Sequence, residues 1–398
     1  MVEEKYIELL LERCLKIKEC DALFISYNKI NKDFINKTAK YAKKLGIEDI
    51  YLDELDTDYI HDILKNIKLE EIENHEEFDS SIWDEYTKKN TAFLMFDAEI
   101  PHQMDDIDSK ILAKSSYVRI NTKPIFREKQ LNSEIPWCIA ALPNEYWAKD
   151  IFPESANPIK EFWDVLAKIC MLDKDNPIEE WNKHLAKQKE NIKKLNNLKI
   201  SKLYYKNSIG TDLTIELPDN AIWQCASSNE WIVNLPSYEI FSIPDYRKTN
   251  GIVYSSKPLI YNYKTIDNFN LTFKDGKVVN FDAESGKDVL EEIINTDEFS
   301  AYLGEVALVN YDSPISNTEK VFKSTLIDEN ASCHIALGSG YLECIKNNEK
   351  LSKEELKNMG VNFSKNHVDF MIGTKDLTIE ADTINGKITI MENGNLVI

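Results

Sequence analysis

Glycine is distributed so unevenly along this chain that it separates two kinds of backbone. Gly46 is the only glycine before Gly210, and the remaining eleven lie from position 210 onward. Glycine is what lets a chain enter left-handed turns, bulges and close backbone approaches. Its scarcity in the first half removes phosphate cradles, because a dinucleotide-binding turn or a P-loop needs several glycines to bring N–H groups against phosphate. The first half is therefore not a cofactor-binding domain.

Its apolar residues alternate between two periods. EEKYIELLLERCLKI (3–17) has helical spacing, ALFISYN (22–28) reads as a strand, and a helix follows near 32–45. IEDIYLDEL (47–55), TAFLMFDAEI (91–100) and WCIAALPN (137–144) read as further strands, with a charged helical stretch at 58–90. Such alternation predicts an α/β layer around a mostly parallel sheet. PIEEWNKHLAKQKENIKKLNNL (177–198) is one long helix, a connector whose lysine-rich face, His184 included, is expected at the surface. After residue 199 the texture becomes strand-like, with Asp275-Gly276 and Asn393-Gly394 as hairpin turns and helices near 287–296 and 352–358. The expected fold class is α/β: an N-terminal α/β layered domain over 1–198, ending in the connecting helix, then a strand-rich α+β domain over 199–398.

Composition narrows the partners. Lys and Arg number 48 against 68 Asp and Glu, a net charge of −20, which opposes binding to nucleic acid or an anionic membrane. Cys14, Cys20, Cys138, Cys170, Cys225, Cys333 and Cys344 are scattered, with no Cys-x-x-Cys pair. This pattern predicts reduced thiols in a cytoplasmic protein rather than a disulfide framework or a zinc knuckle. The acidic start does not read as a signal peptide, and no apolar run reaches the roughly 18 residues that a membrane span needs.

Four short stretches in the second half carry chemistry. In DENASCHIALG (328–338), small and apolar residues press around His334. One such histidine can be a core residue with backbone partners, a metal ligand or a proton carrier. In NHVDFMIG (366–373), His367 and Asp369 stand two apart, which in a strand puts both on one face. YLGEVALV (302–309) places Glu305 beside an apolar run, and NLPSYEIF (234–241) sets Glu239 between aromatic and aliphatic neighbours. Each glutamate alone can be a salt-bridged or strand-end residue, since an unpaired buried charge is costly. Together, two Glu, two His and one Asp suit a two-metal hydrolytic site better than a closed structural zinc.

Taken in chain order, with Glu239 first, then Glu305, His334 and the His367–Asp369 pair, these four motifs resemble the aminopeptidase T/PepS family of metalloaminopeptidases. SSKPLIYN (255–262), DSPIS (312–316) and NFSKNHVDFMIG (362–373) support the likeness, which is dense from about Gly210 to the C terminus and thinner before it. The resemblance implies that Glu239, Glu305, His334, His367 and Asp369 ligate two divalent ions (Zn, Co, Mn or Mg), making 199–398 the metal-binding catalytic domain. It also implies that Tyr341 places its phenol in the same site. Asp328, Glu329 and Asn330 fit turn residues or partners that orient an imidazole, and Cys333 fits a small buried apolar group. One departure stands out: the family's Pro-Thr-Glu-Glu is Pro236-Ser237-Tyr238-Glu239 here, keeping the second glutamate and replacing the first with tyrosine.

The implied activity is removal of N-terminal residues from peptides by metal-activated water in a cytosolic homodimer. Glu305 would be the carboxylate nearest the water and Tyr341 the hydrogen-bond donor to the developing oxyanion. Two alternatives remain at this point: a two-metal hydrolase of another amide or ester, and a metal-binding homologue with altered catalysis.

Overall fold

A computed structural model describes residues 2–227, 230–262 and 264–398. The chain forms two compact units, one of Met1–Asn182, Ala226–Ser237 and Asn262–Lys264, the other of Lys183–Cys225, Tyr238–Tyr261 and Thr265–Ile398. The α/β class holds, with a parallel sheet in the first unit and strand-rich antiparallel sheets in the second.

In the first unit five parallel strands run in the order Asp49–Leu55, Ala22–Asn28, Thr91–Asp97, Trp137–Ala141, Asn234–Leu235. Every residue of Ala22–Asn28 is buried, as in a parallel sheet covered on both faces. The helix Lys32–Lys44 buries Phe34, Ile35, Thr38 and Ala42, a single stripe at helical spacing. The stretch expected to be helical over 58–90 is broken into Thr57–Asn66, two short 3₁₀ turns and Ile82–Thr87. Side chains compete with the helix there: His75 accepts from the Glu77 N–H and Asp79 from the Ser81 N–H.

The long helix Pro177–Leu198 is present, but the two units part inside it, between Asn182 and Lys183, rather than after residue 198. The segment Ala226–Ser237 also returns to the first unit, because Asn234 and Leu235 pair in parallel with Ile139 and Ala140. A two-residue strand has no period to read, so local texture does not reveal it.

The second unit holds a nine-stranded sheet and a four-stranded antiparallel sheet ordered His367–Met371, His334–Gly338, Leu303–Leu308, Ile240–Ser242. Asp275 with Gly276 and Asn393 with Gly394 have positive φ at both positions, as the tight hairpin turns require. Leu213, Val253 and Leu271 of the large sheet share one apolar core with Val306, Ile335, Leu337, Val368 and Phe370 of the small one. Strand side chains alternate between faces, so this core occupies one face of the small sheet, and the other carries polar groups beside a smaller apolar cluster that includes Phe241, Ile243 and Ala307.

A β-bulge at Gly304 decides which face Glu305 takes. Leu303 pairs with Leu337 and Glu305 with Ala336, so Gly304 is the extra residue. Two apart in a regular strand, Leu303 and Glu305 would share a face; the bulge sends leucine to the core and glutamate to the opposite side. A Cβ at Gly304 would lie 2.3 Å from the carbonyl oxygens of both Gly338 and Ser339. Gly304→Ala is therefore expected to cost about 1–3 kcal/mol of stability, read as a lower thermal midpoint. An unchanged midpoint would show that the bulge does not depend on this close approach.

Candidate metal centre

The polar face of the small sheet is assembled by register. Glu305, Ala336 and Asp369 form one row across three strands, Ala307, His334 and Met371 a second, and Gly338 pairs with His367. Alanine and glycine in the middle strand leave room above it for the longer side chains to converge. Glu239 arrives from just before Ile240–Ser242, two residues ahead of Phe241, which pairs with Ala307.

The five residues that the sequence singles out are brought together. His334 Nε2 lies 3.0 Å from Glu239 Oε2 and 3.7 Å from Glu305 Oε1. His367 Nε2 lies 3.2 Å from Glu305 Oε2 and 3.3 Å from Asp369 Oδ1. Two sets can hold a metal ion, Glu239–Glu305–His334 and Glu305–His367–Asp369, with ligand atoms within 4.8 Å of one another in each. Glu305 belongs to both. The other imidazole nitrogens settle the tautomers: His334 Nδ1 meets the Glu329 carbonyl at 2.9 Å and His367 Nδ1 meets the Ser339 carbonyl at 2.7 Å. A carbonyl only accepts, so each Nδ1 donates and each Nε2 faces the carboxylates, protonated in the metal-free protein and left as the metal-binding nitrogen once that proton is displaced.

A fourth carboxyl group borders the centre. Glu329, like Glu239 and Glu305, is less than a tenth exposed. Burial and the neighbouring Glu239 and Asp369 push the Glu329 carboxyl well above its usual range. Burial also raises Glu239, although His334 opposes it. Burial disfavours charge on His334 and His367, but the carboxylates around them prevail and hold both imidazoles well above their ordinary values. Burial acts against the Asp369 carboxylate as well, yet His367 brings it below its usual value. Asp369 Oδ1 is buried without a hydrogen-bond partner, and among the described residues no Lys or Arg pairs with Glu239, Glu305 or Asp369. An anionic, nitrogen–oxygen donor set with an unused buried oxygen fits divalent cations.

Tyr341 is half-buried, its ring centroid 4.8 Å from that of His367 and 5.6 Å from that of Phe241. Burial and the carboxylates of Glu305 and Asp369 raise its pKa well above the usual phenol value, so it keeps its proton. Asp328 is a turn residue, accepting from the Phe322 and Ser324 N–H groups, with burial pushing its carboxyl up to about 6. Cys333 is buried, and burial pushes its thiol up to about 11.

His184 is a correction. It is half-buried rather than a surface group, its ring centroid 4.9 Å from that of Tyr238. Gln188 is buried too and donates to the Glu239 carbonyl. The sequence carried a signal for both: buried Trp181 and Leu185 lie on the same helical stripe as His184 and Gln188.

Residues 2–396 match the family model described as thermophilic metalloprotease (M29). The chain belongs to the M29 metalloproteases. Aminopeptidase AmpS of Bacillus subtilis is 34% identical over 98% of this chain and 97% of its own length. Aminopeptidase 2 of Geobacillus stearothermophilus is also 34% identical, over 96% and 94%. In structure, wild-type AmpT from Thermus thermophilus superposes with a TM-score of 0.90 at 25% identity, covering 100% of this chain and 99% of the other.

The charge pattern of this M29 site predicts how the metal-free protein responds to pH. His334 and His367 are raised above their unfolded value of about 6.5. Their contribution to stability is complete below that pH and is lost as pH rises through the folded value. Glu239 and Glu329, also raised, act in the same sense. The thermal midpoint of chelator-treated protein should fall between about pH 6 and pH 9, while metal affinity rises because binding displaces protons. A metal-free midpoint that climbs over this range would contradict the proposed pairing.

Proposed function

We propose that this metalloprotease is an aminopeptidase in which Glu239, Glu305, His334, His367 and Asp369 hold two divalent metal ions, with Glu305 common to both. The observation that carries this reading is the division of Glu305, one oxygen directed to His334 and the other to His367. The names and near-complete coverage of the aminopeptidase relatives support the exopeptidase assignment. Bound by these side chains, divalent ions supply Lewis acidity, polarising a peptide carbonyl and lowering the pKa of water from roughly 15.7 to about 7.

The protein's own groups complete the chemistry. Glu305, whose two oxygens face His334 and His367, would serve as a ligand to the ions or accept the proton of the attacking water. The protonated Tyr341 phenol donates a hydrogen bond to the oxyanion that develops on the scissile carbonyl. The carboxylate-rich surroundings favour an α-ammonium group, so the substrates are peptides with a free N-terminus. Zn, Co, Mn and Mg all suit this mixture of imidazole and carboxylate donors. Seven cysteines, all free and buried, fit a reducing cytosol, where the protein acts as a homodimer. Among the described residues no helix is long and apolar enough to cross a membrane.

Hydrolysis of aminoacyl-p-nitroanilides tests the reading. Release should stop on chelation, return with Zn²⁺, Co²⁺, Mn²⁺ or Mg²⁺, and vanish when the substrate amine is acetylated. Glu305→Gln should lower kcat by about 10²–10⁴-fold and Tyr341→Phe by about 10²–10³-fold, both in folded protein. Release that survives complete metal removal would rule the mechanism out.

A further inference from the structure

Four of the five metal-facing side chains stand on strands: Glu305 on Leu303–Leu308, His334 on His334–Gly338, and His367 with Asp369 on His367–Met371. Glu239 lies outside, one residue before Ile240–Ser242, and two amide side chains hold the main chain of Tyr238 and Glu239. Asn330 Oδ1 accepts the Tyr238 N–H at 2.6 Å, and Gln188 Nε2 donates to the Glu239 carbonyl at 3.0 Å. Asn330 is fully buried and Gln188 is 4% exposed, so water does not compete for either bond. Asn330 is anchored in turn, its Nδ2 donating to the Leu326 carbonyl at 3.1 Å.

The clamp has a second consequence. Asn330 belongs to the short turn Glu329–Ala331, and the Glu329 carbonyl in that turn is what orients His334 through Nδ1. One turn thus grips both Glu239 and His334, whose ligand atoms are 3.0 Å apart. We propose that Asn330 and Gln188 are positioning residues for the metal centre, fixing Glu239 against His334 without touching metal or substrate. The inference rests on Glu239 being a ligand, as set out under the proposed function.

The test uses the full-length protein with Co²⁺ as the probe, reading affinity by competition with a chromophoric chelator and ligand geometry by visible absorption. The thermal midpoint of the metal-free protein is recorded alongside. Gln188→Met, close in shape and lacking the donor, and Asn330→Ala should each weaken Co²⁺ binding about 10–100-fold and alter its absorption. Glu239→Gln is the reference. If it weakens binding while Gln188→Met and Asn330→Ala leave affinity and spectrum unchanged, whatever their midpoints, the positioning role is overturned and the ligand assignment survives. If Glu239→Gln itself leaves Co²⁺ binding unchanged, the ligand assignment falls and the inference with it. Should Asn330→Ala fail to fold, Gln188→Met decides the outcome.

Discussion

Carboxylates that must be buried side by side are the constraint on which the rest of the second unit depends. Glu239, Glu305 and Glu329 are each less than a tenth exposed, and Asp369 lies with them. Two like charges about 4 Å apart repel by roughly 4 kcal/mol at an effective dielectric near 20. A loop would relieve that repulsion by moving. A four-stranded ladder closed behind by an apolar core does not move easily, so the repulsion is relieved by bringing in positive charge. The two imidazoles supply some by staying protonated, and divalent cations supply more. The same scaffold that makes the empty arrangement costly makes it selective for cations.

Much of this was legible in the sequence, for reasons particular to each residue. His367 and Asp369 are two apart in a strand, so the period of two alone puts them on one face. His334 and Glu305 were visible as polar residues in apolar strands, although Glu305 reaches the site only because Gly304 shifts the register. Glu239 has no period to place it and stood out only as a carboxylate between aromatic and aliphatic neighbours, to which the family resemblance added a ligand role. Glu329 reads from the sequence as a turn residue or a partner that orients an imidazole, and its carbonyl meets His334 Nδ1. The Gln188 and His184–Tyr238 contacts were not legible because the partners are distant in sequence, Gln188 and the Glu239 carbonyl being 51 residues apart. The division into compact units differs from the change of texture after residue 199 for a related reason, because the parallel pairing of Asn234 and Leu235 returns a later segment to the first unit.

The uneven use of glycine acquires a cause in this light. Gly304 lies where two carbonyls would meet any side chain, and Gly338, with φ of +107°, lies where a Cβ would be 2.3 Å from the Asn366 carbonyl oxygen. Both border the strands that carry Glu305, His334 and His367. The second unit needs glycine because backbones must pass close together for side chains from three strands and the residue before a fourth to meet. The parallel sheet of the first unit imposes no such demand, and its one glycine before residue 200, Gly46, has open space around it.

Tyr238 shows how such a centre can change at one position without losing its ligands. The family resemblance places a glutamate there, and tyrosine removes one negative charge beside Glu239 while its ring packs edge-on against His184. The clamp ignores the exchange, because Asn330 binds the N–H of residue 238, which every amino acid except proline provides. Holding the neighbouring ligand through the main chain separates two tasks in adjacent residues. Glu239 can stay in place while the side chain at 238 varies, so the surroundings of the site can change without moving the five converging side chains.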